Sequence, residues 1–223
     1  MAWHPCRGGG VHYSYAISPD WYLRWVVREG IGFLETAQFI LMVVGFAIAV
    51  QLLFARYVRQ RPFVLAVTIL AAISCLYIGG EEVSWGQHLF FWEDASLITE
   101  ENRSGEFGIH NMYSILEQAP RTTLEIGVYV GGILVPLWCA IVPRVRASRL
   151  ALFLPAAILA VPALGALLFK FVDLLGHYSM IPLIVGRPSE AIEFYLYFFM
   201  MAYLIVFDRR IAALEAETAK TGR

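Results

Sequence analysis

Residues 31–80 read IGFLETAQFILMVVGFAIAVQLLFA (31–55), then RYVRQR (56–61), then PFVLAVTILAAISCLYIGG (62–80). Each apolar run is close to the ~20 residues a helix needs to cross a hydrocarbon core of ~30 Å. The six residues between them hold three arginines. The reading is a membrane hairpin with a basic turn.

Three further runs of the same kind follow, at Leu124–Val142, Leu150–Leu175 and Ala191–Phe207. The sequence therefore predicts an all-α polytopic membrane protein: one integral membrane domain over 1–223 with about five transmembrane helices. The spans are 31–55, 62–80, 124–142, 150–175 and 191–207, and the tail is 208–223. Composition agrees. The chain is 59% hydrophobic and only 16% charged, where a soluble domain is nearer ~25% charged. Net charge is −1 and no basic stripe or nucleic-acid motif occurs, which excludes a nucleic-acid partner. Cys6, Cys75 and Cys139 lack CxxC spacing, so neither a disulfide framework nor a thiolate zinc site is indicated. Met1–Tyr15 has no apolar core and does not read as a signal peptide.

Lys/Arg in short connections sets orientation. Arg56, Arg59 and Arg61 follow span 1, Arg144, Arg146 and Arg149 follow span 3, and Arg209, Arg210, Lys220 and Arg223 follow span 5. With five spans these segments share one side. The opposite side carries the long loop between spans 2 and 3, Glu81–Thr123, with eight Asp/Glu and two Arg. The prediction is an N-terminus outside, a C-terminus in the cytoplasm, and the cytoplasmic (inner) membrane of a bacterium as the location. Pro62 opens span 2, where a missing N–H costs nothing. Thr122-Thr123-Leu124-Glu125 reads as a capping box for span 3, and Ser189 as the N-cap of span 5. Ser18-Pro19-Asp20 starts an interfacial N-terminal helix with Trp21, Tyr22 and Trp25. The polar tail from Ile211 reads as a frayed helix end.

Ionisable residues in a span are costly and each asks for a reason. Here they collect at the outer ends: Glu35 in span 1, Glu81, Glu82 and His88 at and after span 2, Glu125 before span 3, Lys170, Asp173 and His177 in span 4, Glu190 and Glu193 at span 5. Capping explains Glu125, and the helix dipole explains Glu190. Lys170 and Asp173, three apart, can neutralise each other. The densest stretch is Gly79-Gly80-Glu81-Glu82-Val83-Ser84-Trp85-Gly86-Gln87-His88. A helix there would put Glu81, Ser84, Trp85 and His88 on one face, with Glu82 about 100° away. Paired acids can share a proton or bind a cation, and His88 can relay a proton or ligate a metal. The bland alternative is a helix end with an aromatic belt. His88, His110, His177 and Asp173 together would suit a divalent metal such as zinc or iron, but no HxxxH or HExxH spacing supports it.

The string Gly80–Gln87, followed by Phe90, Gly105-Glu106, Ile109, His110 and Asn111, resembles a family of bacterial multispan membrane proteins. Their pattern is G-E-E-[IV]-S-W-G-Q-R-[IL]-F, then a loop ending G-E-x-[NG]-[LI]-H-N. The family brings no assigned activity. His88 stands where the pattern has Arg, which weakens any role needing a fixed charge there. The resemblance marks Glu81, Glu82, Ser84, Trp85, Gln87, His110 and Asn111 as site candidates. Glu81-x-x-Ser84-x-x-x-His88 also resembles a motif of membrane hydrolases of the alkaline ceramidase and progestin-receptor type, whose extra spans and terminal histidine pair this chain lacks.

Three functions compete. The first is an enzyme acting on a lipid or lipid-linked substrate at the outer membrane face. Its catalytic candidates are Glu81, Glu82, His110, Asp173 and His177, and its binding candidates are Glu35, Ser84, Trp85, Gln87, His88 and Asn111. The second is a non-catalytic subunit that holds membrane lipids, a membrane-protein partner, a quinone or a pigment, motivated by the aromatic run Phe194–Phe199. The third, a small transporter, is disfavoured because the inner halves of the spans offer almost no polar path.

Overall fold

The structure, a computed structural model, describes residues 32–83, 114–142, 144–145, 148–177 and 188–221, together with Val26. The expected interfacial helix around Trp21, and Ser84, Trp85, Gln87, His88, His110 and Asn111, lie outside the described residues.

Helix α1 spans Phe33–Phe54, and a one-turn helix, Arg56–Arg59, leads into α2, Pro62–Glu82. Pro62 occupies the first helical turn as its missing N–H allows. Helix α3, Ser114–Tyr129, passes through a π turn at Val130–Leu134 into α4, Val135–Ile141. Helix α5 is Ala160–His177 and α6 is Pro188–Thr221. No strand occurs among the described residues. Five helices are long and apolar enough to cross a membrane. The chain is thus an all-α polytopic protein. Phe33, Ile73, Ile141, Val161 and Phe171 are exposed, in a pattern that suits lipid and not water.

Helix α6 is the centre: α1 packs along it, α5 packs along it elsewhere, and α2 lies against α1. Its mid-height core joins Met42, Cys75, Leu159, Ala163, Ile192 and Leu196. A second core, Leu52, Val58, Val64, Phe207 and Ile211, lies where the basic connections gather. We call this the Arg210 end and the opposite one the Glu82 end. Cys75 and Cys139 are buried free thiols.

The spans depart from expectation in four places, each with a local cause. The first ten residues of the expected span 4 are not α-helical. Two 3₁₀ turns, Arg149–Leu152 and Ala157–Leu159, flank extended backbone at Ala156. Pro155 supplies no N–H and keeps Leu154 out of helical geometry. The freed carbonyls are met by α6: Arg210 donates to the carbonyls of Ala151, Leu152 and Leu154, and the Tyr203 hydroxyl to that of Phe153. Second, Thr122 and Thr123 do not cap span 3, because helix continues N-terminally to Ser114 and leaves no end there to cap. Third, α6 begins at Pro188, so Ser189 lies inside its first turn. Fourth, the tail is no frayed end but unbroken helix to Thr221, anchored where Glu215 Oε1 accepts the Tyr57 N–H at 2.7 Å.

The π turn has a physical origin in Pro136, which cannot donate to the carbonyl of Gly132 four residues back. At the same level Gly132 is buried. A Cβ there would overlap Ala163 and come 2.8 Å from Phe199, so only glycine lets the helices approach.

Candidate functional site

The Glu82 end is built by helix termini. Glu35 is the third residue of α1, Glu82 the last of α2, and Glu190 the third of α6. Antiparallel packing of α1 against α2, and parallel packing of α1 against α6, therefore bring three acids to one level. One turn into α6, Glu193 joins them. Glu35, Glu190 and Glu193 all act electrostatically on Glu82.

Their partners are specific. The buried Tyr197 hydroxyl donates to Glu82 Oε1 at 3.0 Å. Arg121 of α3 pairs with Glu193 at 2.8 Å. Gln38, fully buried one turn after Glu35, donates from Nε2 to the Glu190 carbonyl at 2.9 Å. That carbonyl can only accept, so it fixes which end of the amide faces it. The other end, Gln38 Oε1, is buried and has no hydrogen-bond partner among the described residues.

A second polar group adjoins the first along α3. Arg121, Glu125 and Tyr129 recur every four residues and so share a face. Lys170 of α5 reaches Glu125 Oε1 at 3.0 Å, and the Tyr129 hydroxyl donates to the same oxygen at 3.3 Å. Lys170 thus turns to Glu125, not to Asp173 as its spacing suggested, and Glu125 is a pairing residue and not a cap.

Among the residues expected from sequence, the structure brings together Glu35 and Glu82. Glu81 is half-buried one turn from Tyr77, with which it interacts electrostatically. The adjacent acids therefore divide: Glu82 faces Tyr197 and the α6 acids, and Glu81 the Tyr77 side of α2. Asp173 is half-buried one turn beyond Lys170. His177 closes α5, and its side chain lies outside the described residues. Among the described residues no group of three or more His, Cys, Asp or Glu is placed to hold a metal ion.

Sequence reasoning passed over Gln38, Tyr197 and Arg121 as site residues. Gln38 had a usable signal, as an amide one turn from Glu35 inside an apolar span. Tyr197 sits in an aromatic run and Arg121 in what read as a loop. The run is divided: Tyr197 and Phe199 are buried and Tyr195 stacks on Phe169, while Phe194 is half-buried and stacks on the exposed Phe198.

No protein-family model, curated protein or solved structure matches the chain.

Proposed function

We propose that this chain is a multi-pass enzyme of the bacterial cytoplasmic membrane, with its N-terminus outside and its C-terminus in the cytoplasm. Its reaction is acid–base chemistry on a lipid or lipid-linked substrate at the outer face. The orientation rests on the arginines of the Arg210 end. The activity rests on one observation: Glu82, hydrogen-bonded by Tyr197, lies among three further carboxyls, one of them paired with Arg121. Acids this close at a span's end are expensive to keep for structure alone.

Glu82 is partnered by a phenol and Glu193 by a guanidinium. Carboxyls in unlike environments divide acid and base roles. In this reading Glu82 takes the proton of an attacking water or hydroxyl and returns it to the leaving oxygen, with Tyr197 holding the carboxyl in place. Arg121 orients Glu193. The competing subunit reading draws on the aromatic run Phe194–Phe199, in which Tyr197 and Phe199 are buried and Phe198 is exposed.

The test uses the full chain in liposomes of bacterial polar lipid extract, followed by mass spectrometry of the lipid pool over time. Wild type and Glu81→Gln should change one lipid class, and Glu82→Gln should not. An equal change with Glu82→Gln would remove that residue from the mechanism. No change with wild type, together with stoichiometric co-purification of another membrane protein, would install the subunit reading instead.

A further inference from the structure

The connection between α1 and α2 carries more positive charge than the fold there uses. Arg56, Arg59 and Arg61 are all exposed. Among the described residues none of the three pairs with a carboxylate, and the side chains of Arg56 and Arg59 make no hydrogen bond. Glu215, the acid packed against this turn, accepts from the Tyr57 N–H instead.

The three arginines nonetheless stand on a fixed element. Val58 is fully buried in one core with Leu52, Phe207 and Ile211. Together with the Glu215 bond it holds the one-turn helix Arg56–Arg59 against α1 and α6. Arg56 and Arg59, three residues apart, share a face turned away from Val58. Arg61 donates to the Tyr57 carbonyl at 3.3 Å, and its guanidinium lies 3.5 Å from the centre of the Tyr57 ring. Phe54 and Phe63, two residues outside this group on either side, are exposed at the ends of their spans. Aromatic rings at such positions sit at headgroup level.

Guanidinium groups fit phosphate oxygens with two N–H bonds at a time. A soluble acidic protein would match the arginines but not the exposed rings beside them. We propose that Arg56, Arg59 and Arg61 bind the phosphodiester headgroup of an anionic phospholipid, with its acyl chains toward Phe54 and Phe63. The site lies at the opposite end of the bundle from Glu82 and does not depend on the enzymatic reading.

The test is equilibrium binding to the purified full chain in a neutral detergent. The probes are short-chain phosphatidylglycerol, phosphatidylcholine with the same acyl chains, and glycerol phosphate as competitor. Phosphatidylglycerol should bind at least about tenfold tighter than phosphatidylcholine. Arg56→Gln with Arg59→Gln should reduce that preference to about threefold or less. Arg144→Gln with Arg209→Gln removes the same charge from two other exposed arginines of the Arg210 end and should leave the preference intact. All four are exposed and without a carboxylate partner among the described residues, so both thermal midpoints should stay near wild type. Equal binding of the two lipids by wild type overturns the proposal, and that comparison needs no variant. Equal losses in the two double variants also overturn it, since the attraction would then belong to the whole basic side. Displacement of the lipid by glycerol phosphate at matching concentration would make a soluble phosphate the ligand and overturn the lipid assignment, whereas failure to displace it supports the lipid.

Discussion

The two ends of the bundle use polar side chains in opposite ways. At the Arg210 end they bond to backbone: Arg210 and Tyr203 serve four carbonyls around Pro155, and Glu215 accepts the Tyr57 N–H. Each closes a gap left by a connection that cannot close it alone. At the Glu82 end polar side chains bond mainly to one another, as Tyr197 to Glu82, Arg121 to Glu193 and Lys170 to Glu125. No break in the described helices there requires them. Deleting the first set would leave orphaned carbonyls, while the three pairs of the second set join side chain to side chain. Polar groups that the fold does not need, yet keeps at a membrane level where they are costly, are where function is to be sought.

Substitutions that separate activity from stability test the contrast. The largest expected effect is on activity. Glu82→Gln should lower lipid turnover by about 10²–10⁴-fold, the usual range for a lost acid–base group. Its thermal midpoint should hold or rise, because a like charge leaves a crowded site and the amide still accepts from Tyr197. A large drop in midpoint would make Glu82 structural and dissolve the contrast. Arg210→Met should behave in reverse. At ~1–3 kcal/mol for each buried acceptor left unmet, with some relief from water, we expect a loss of roughly 2–4 kcal/mol in a denaturation midpoint series. Turnover per folded molecule should stay at wild type. Gly132→Ala, between the two ends, should cost about 1–3 kcal/mol by overpacking against Ala163 and Phe199. An unchanged midpoint there would mean that the π turn shifts freely.

The bundle was largely legible in the sequence because the bilayer imposes a simple rule on composition. Runs long and apolar enough to cross stand out, and the helices of spans 1 and 2 match their runs closely. The same rule misled at Leu150–Leu159, where apolar residues pack as turns around Pro155 in contact with α6. It misled again after Phe207, where helix continues because Ile211 and Glu215 find partners across the bundle. At the site, composition revealed that acids gather at one level. It did not reveal which acids meet, since that depends on the rotation of each helix about its axis. Glu81 and Glu82 differ by one residue and about 100°, and only packing against α6 decides that Glu82 faces Tyr197. Gln38 and Arg121 acquire roles only through α6, more than seventy residues away in sequence.

The smallest expected effect concerns the border of the site. Lys170 is 44% exposed and its partner Glu125 is 11% exposed. A half-exposed lysine loses much of its Coulomb gain to screening, so Lys170→Met should cost under about 1 kcal/mol. Tyr129 still donates to Glu125 in that variant, which keeps the carboxylate from being stranded. If the Arg121–Glu125–Tyr129 face of α3 belongs to the working site, Lys170→Met should nevertheless alter turnover, because the charge facing Arg121 across one helical turn changes. An unchanged rate would confine the functional cluster to α1, α2, α6 and Arg121. A changed rate at an unchanged midpoint would extend it to α5, with Glu125 as a positioning residue.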